Sequence, residues 1–153
     1  MKKLFIYSIL LITIFSSCLD PCRKTKCTNG GTCFDGTCEC PLGYEGKNCE
    51  TEMRDKFIGT FNGTTTIVGE KPENDKITIS ARASVTEIKI LFENTYLVGN
   101  ITSSNSFIIK NQYVEPKVSI DGKGTIKGNT IFINFTIYEQ GFPNEFIDFE
   151  GTK

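Results

Sequence analysis

The chain has 153 residues, 39% of them hydrophobic and 23% charged, with 17 basic and 18 acidic side chains. Charge so nearly balanced offers no basic stripe for a nucleic acid, which is therefore not an expected partner. The chain has no histidine, which excludes Ser-His-Asp and Cys-His catalysis and His-ligated zinc, since each requires an imidazole.

The amino terminus reads as an export signal. Met1-Lys2-Lys3 is a basic leader, and Leu4 to Phe15 is a run of twelve mostly apolar residues. That run is too short to span a bilayer and has the length of a signal-peptide core, so residues 1–17 are assigned to a signal peptide. Loss of Lys2 and Lys3 leaves 15 basic against 18 acidic residues, a net charge of −3. Ser16-Ser17-Cys18 resembles the lipobox of bacterial lipoproteins, with Phe15 standing where an aliphatic residue is usual. In that family the signal is cut before the cysteine, which is then lipidated. The resemblance implies Cys18 as the lipid-attachment residue, palmitate-type acylation and a place in the bacterial cell envelope, facing periplasm or exterior. More than one acyl chain gives a stable anchor where a single chain is marginal. The alternative is ordinary cleavage with Cys18 left as a free or intermolecular thiol.

Residues 18–21 form a tether too short to reach beyond about 10–14 Å. It leads into the 28 residues from Cys22 to Cys49, which hold six of the seven cysteines. So short a segment cannot bury enough apolar surface to offset its chain entropy, so covalent cross-links are expected. Cys-x-Cys spacing and many glycines favour disulfides over zinc. Spacing alone leaves 15 pairings open. The runs Cys27-Thr28-Asn29-Gly30-Gly31-Thr32-Cys33 and Cys38-Glu39-Cys40-Pro41-Leu42-Gly43-Tyr44-Glu45-Gly46-Lys47-Asn48-Cys49 resemble an epidermal-growth-factor-like (EGF-like) domain. That resemblance implies the pairs Cys22–Cys33, Cys27–Cys38 and Cys40–Cys49, with Tyr44 over the last bridge. Calcium-binding members carry an acidic and amide cluster before the first cysteine. Here only Asp20-Pro21 stands there, so no metal and no cofactor are expected. Arg23, Lys24 and Lys26 are candidates to touch anionic headgroups, and the module reads either as a spacer or as a recognition unit.

Residues 50–56 form a short charged linker without Gly, Ser or Pro, too brief for wide motion. From Phe57 onward Ile, Thr, Val and Phe dominate without a helical period. The pattern predicts eight strands at 57–68, 76–82, 85–93, 95–102, 106–113, 117–127, 130–139 and 145–152. Alternation is clearest in two of them. Thr86, Ile88, Ile90 and Phe92 oppose Val85, Glu87, Lys89 and Leu91, and Ile131, Ile133, Phe135 and Ile137 oppose Phe132, Asn134, Thr136 and Tyr138. Gly128-Asn129 predicts a tight hairpin, Asp121-Gly122 a break in the sixth strand, and Pro116 a strand start.

Eight sequential strands suit an antiparallel up-and-down meander whose last strand closes on its first. The runs Lys56-Phe57-Ile58-Gly59-Thr60-Phe61, Gly124-Thr125-Ile126 and Phe149-Glu150-Gly151-Thr152-Lys153 resemble those of the small lipocalin-like β-barrels in secreted bacterial lipoproteins. The Gly-x-Trp signature of true lipocalins is absent. The expected class is all-β, with a disulfide-rich foot and a barrel at 57–153, and a β-sandwich is the alternative.

Nine phenylalanines lie between Phe57 and Phe149, enough to fill an eight-stranded interior. The alternative is a carrier holding a small hydrophobic ligand, with Tyr96, Tyr113, Asn134 and Tyr138 as contacts at its mouth. Phe142, at the tip of Gln140-Gly141-Phe142-Pro143-Asn144, is a candidate partner anchor or a plug over the barrel end. Glu139, Glu145, Asp148 and Glu150 raise a glycosidase-like acid and base pair. On a terminal strand they read as a solvated face, so no catalytic residue is assigned. Asn62, Asn100 and Asn134 begin glycosylation sequons, relevant only to a eukaryotic secreted adhesion module. The leading expectation is a non-enzymatic envelope lipoprotein acting in binding or attachment to an extracellular protein or glycan.

Overall fold

The computed structural model describes residues 20–153, so the signal peptide and Cys18 lie outside the described residues. Disulfides join Cys22 to Cys33, Cys27 to Cys38 and Cys40 to Cys49, the pairs that the EGF-like resemblance implies. They brace a turn at Pro21–Lys24, a hairpin of β1 (Thr32–Phe34) and β2 (Thr37–Glu39), and a second hairpin of β3 (Tyr44–Glu45) and β4 (Thr51–Glu52). Two glycines in the first loop are there for different reasons. Gly30 sits at φ +78°, whereas a Cβ on Gly31 would lie 2.6 Å from the Cys49 sulfur. It is Gly31 that closes over this buried cysteine.

Residues 50–56 are not a free linker. β4 pairs with β3 across Cys49, and a 3-10 turn, Met53–Lys56, then delivers Phe57 into the barrel end, fully buried. The first barrel strand therefore starts two residues later than the sequence suggested. The eight strands are β5 (Gly59–Ile67), β6 (Glu73–Ala81), β7 (Glu87–Phe92), β8 (Thr95–Ser103), β9 (Ser106–Glu115), β10 (Val118–Lys127), β11 (Thr130–Glu139) and β12 (Glu145–Thr152). Each pairs antiparallel with the next, and β12 pairs with β5, closing the barrel. Closure leaves no free edge and rules out the sandwich. β6 starts three residues early because its polar run Glu73–Lys76 pairs with Asn62–Thr65. Backbone pairing there overrides a composition unlike a strand.

Inward positions follow the predicted alternation, with Ile88, Ile90 and Phe92 on β7 and Ile131, Ile133 and Phe135 on β11 all buried. The interior is packed by side chains. Phe107 meets Phe57 edge to face, with ring centroids 5.4 Å apart. A Cβ on inward-facing Gly124 would lie 2.1 Å from the Phe107 ring, and one on Gly99 would lie 3.0 Å from it. The ring thus occupies space that both neighbouring strands leave open by carrying glycine. Phe92 stacks on Phe135 at 5.1 Å. Where a carrier would hold its ligand, this barrel holds its own aromatics.

Two turn expectations need correction. Asp121-Gly122 does not break the sixth strand, since β10 pairs with β11 without interruption from Val118 to Lys127. The strand opposite is irregular there, with Lys110 and Asn111 of β9 facing Asp121 alone, a bulge, and a second register shift follows at Val114. Pro116 precedes the strand rather than starting it. With Lys117 at φ +75° it forms the two-residue β9–β10 turn, and proline then positive φ is the signature of a type II turn.

Candidate functional site

The barrel has two unlike ends because a meander puts its turns alternately at either mouth. One end carries the foot. Arg54 Nη1 donates to the carbonyls of Arg82 (2.5 Å) and Ser84 (2.9 Å) in the β6–β7 loop, while its Nε holds Glu52 at 2.6 Å. Lys56 pairs with Glu45 at 2.7 Å, and the Met53 amide donates to the Gly43 carbonyl. Lys153 Nζ reaches back to the carbonyls of Lys56 (2.7 Å) and Ile58 (2.8 Å), pinning the start of the barrel to its finish. Gly43, at φ +102°, packs on Val85, whose Cγ2 would lie 2.9 Å from an added Cβ. Foot and barrel thus meet through hydrogen bonds and close packing.

The other end is open. The β5–β6 turn and the β11–β12 loop frame a groove of about 610 Å³ lined by Val68, Phe142, Pro143 and Phe146 and rimmed by Glu70, Glu139 and Glu145. Phe142 is 65% exposed, Phe146 52% and Val68 74%. The loop is held by Gln140 N–H donating to the Lys117 carbonyl and Phe142 N–H to that of Glu139, and Gly141 supplies φ +96°. Phe142 therefore projects from the barrel and does not plug its mouth. Val68 and Phe146 join it because the Val68 amide donates to the Phe146 carbonyl at 3.3 Å. Sequence reasoning missed both, since their meeting depends on β5–β12 closure.

The other proposed contacts are not gathered at a mouth. Asn134 and Tyr138 occupy the outward positions of β11, because Ile133, Phe135 and Ile137 take the inward ones. Asn134 donates to Asp148, and Tyr138 donates to Asp121 at 3.1 Å. That hydrogen bond to a carboxylate raises the Tyr138 phenol above its ordinary pKa. Tyr96 is exposed on the outer face of β8 beneath the Lys89 ammonium, 3.7 Å from the ring centroid, and Tyr113 is exposed on β9. Glu150 is exposed and Asp148 is engaged by Asn134, so these carboxylates and the rim residues Glu139 and Glu145 form no enclosed acid and base pair. Asn62, Asn100 and Asn134 all lie within strands.

A further polar device sits in the wall. β8 and β9 pair only between Gly99–Ser103 and Ser106–Ile109. Beyond that point the Gln112 side chain replaces a strand partner. Its amide group donates to the Val98 carbonyl at 2.7 Å and its oxygen accepts from the Val98 amide at 2.9 Å. In the foot, the Glu50 carboxylate accepts backbone N–H groups, its own and that of Asn48 (2.7 Å), which hold its pKa below the usual carboxylate value.

No family model matches the chain. A stretch of 45 residues is 44% identical to part of cadherin EGF LAG seven-pass G-type receptor 2 of Rattus norvegicus, and equally so to that of Mus musculus. The match covers 26% of this chain and 2% of either receptor, so it reaches a single module of a far longer protein. A solved Bacteroides fragilis protein that carries the provisional name of outer membrane protein superposes with a TM-score of 0.43 at 16% identity. That match spans 66% of this chain and 52% of the other. Three bridges in EGF-like order, the matching stretch and the closed strand order together describe the molecule as an EGF-like module followed by an eight-stranded antiparallel barrel.

Proposed function

We propose that the chain is a lipid-anchored, non-enzymatic protein of the bacterial envelope, whose barrel offers its open end to a protein partner. The observation that carries this reading is the cluster of Val68, Phe142 and Phe146, solvent-exposed at the end remote from the foot. Exposed aromatics gathered in one groove with a charged rim are the usual anatomy of a protein-binding patch. The acidic rim favours a partner segment that is basic as well as apolar. The anchor is supported by the sulfur inventory. All six cysteines of the foot are bridged, and the seventh is Cys18, within the lipobox-like run. An anchor there would place the foot at the membrane and the groove away from it.

Two measurements test the two halves. Intact mass of the mature protein from its native host is expected to give a chain starting at Cys18, with acyl mass and six oxidised thiols. A mature chain with unmodified Cys18 removes the anchor. A photo-crosslinking residue at Phe142, compared on intact cells with one at Lys110 on the barrel wall, is expected to give a discrete adduct only at 142. Equal or absent adducts at both positions remove the partner site.

A further inference from the structure

We propose that a basic concavity on the foot, lined by Lys24, Lys26 and Lys47, binds the anionic headgroups of a lipid surface. Three lysines from two separate segments converge on one hollow of about 590 Å³, completed by Thr25, Gly36, Thr37, Cys38, Gly46 and Asn48. One carboxylate adjoins it, that of Glu50, which accepts the Asn48 N–H at 2.7 Å and so leaves the three lysines in excess. The sequence pointed to Arg23, Lys24 and Lys26 in the first loop. The fold sorts them differently, leaving Arg23 out of the hollow and bringing in Lys47 from beyond the fourth and fifth cysteines. The disulfides are responsible, since Cys27–Cys38 ties the first loop to β2 and Cys40–Cys49 ties the last loop to the residue that follows β2.

Lysine ammonium groups at an exposed hollow attract phosphate as mobile point charges, each contributing modestly, and several together add up near a charged surface. All three lysines are exposed, and the only ion pairs among the described residues are elsewhere, at Arg54–Glu52, Lys56–Glu45 and Arg82–Glu87. A lipid surface is favoured over a soluble polyanion because of where the hollow lies. Pro21 packs on Gly36, 3.5 Å from an added Cβ, and Thr25 Oγ1 donates to the Gly36 carbonyl at 3.2 Å. Gly36 and Thr25 both line the hollow. It therefore adjoins Pro21, three residues from Cys18, on the side where a tether would leave the module.

The choice of lipid rests on the membrane reading above, so the test uses a chain that cannot be acylated. The mature chain with Cys18→Ser, its three bridges checked by mass, is mixed with phosphatidylcholine vesicles with and without phosphatidylglycerol. Binding is expected only with phosphatidylglycerol, and is expected to weaken as salt rises. Combining Lys24→Glu, Lys26→Glu and Lys47→Glu should weaken it by at least about 100-fold. The same reversal at Lys110, Lys117 and Lys123 on the barrel should leave it intact. Lys47→Glu alone should weaken binding as much as Lys24→Glu, which a site confined to the first loop would not require. Equal loss from both triple variants, no binding to phosphatidylglycerol, or capture by a sulfated polysaccharide but not by vesicles would each overturn the proposal. Vesicle binding that persists while native Cys18 proves unmodified would remove the anchor and leave this site standing.

Discussion

Foot and barrel solve the same stability problem with different materials. Among the described residues of the foot up to Glu50, only Gly43 and Cys49 are buried. The barrel collects eighteen buried apolar residues in one cluster, from Phe57 to Phe149. A segment as short as the foot cannot bury enough surface to offset its ordering, so three bridges restrict its unfolded state instead. The barrel is long enough for the hydrophobic effect to suffice, and it contains no cysteine. What joins them is neither covalent staple nor large core but a short turn, Met53–Lys56, ending in one buried ring, Phe57, together with the packing of Gly43 on Val85.

The largest expected effect comes from reduction. Each bridge contributes about 2–4 kcal/mol, so reducing all three should unfold the foot while the barrel keeps its protected amides in hydrogen-exchange mass spectrometry. Loss of barrel protection as well would mean that Phe57 and Arg54 bind the two parts into one cooperative unit. Next comes Phe107→Ala, which removes the ring shared by Phe57, Gly99 and Gly124. It should cost about 3–5 kcal/mol in barrel unfolding and leave the exchange of the foot unchanged. Gly124→Ala at the same contact is expected to cost about 1–3 kcal/mol by overpacking, a smaller effect of the same sense.

Gln112→Leu tests the wall. It leaves the Val98 N–H and C=O without partners, at about 1–3 kcal/mol, and should raise amide exchange at Val98 before that of its inward neighbour Leu97. The smallest effect belongs to Glu50. Its folded pKa is depressed, so its contribution is present above the ordinary carboxylate pKa and is lost as pH falls through the folded value. Glu50→Gln should therefore speed exchange of the Asn48 amide at neutral pH. After correction for intrinsic exchange, that difference should vanish in acid. A difference that persisted at low pH would show the hydrogen bond to be independent of charge.

Much of the barrel was legible because alternation needs only local residues. Ile131-Phe132-Ile133-Asn134-Phe135 states both faces of β11, and Gly128-Asn129 states its hairpin. The same alternation already put Asn134 and Tyr138 on the outer face, against their assignment to a mouth. The bulge at Lys110 and Asn111 left no comparable mark. Nor did the use of Gln112 as a substitute strand, because a glutamine is equally at home on any solvated face. The groove residues Val68 and Phe146 were invisible for another reason. They lie far apart in the chain and meet only when β12 closes on β5.

By itself the sequence determined the compartment-dependent chemistry of the foot, the number and order of strands and the closure that eight consecutive antiparallel strands favour. Those follow from cysteine spacing and from a period of two, which are properties of neighbours along the chain. Only the tertiary structure decided that the interior is filled, that Phe142 points outward with two apolar companions, and that Lys47 joins Lys24 and Lys26 while Arg23 does not. Each depends on distances between segments, and no local pattern encodes a distance that three disulfides or a closing strand must set.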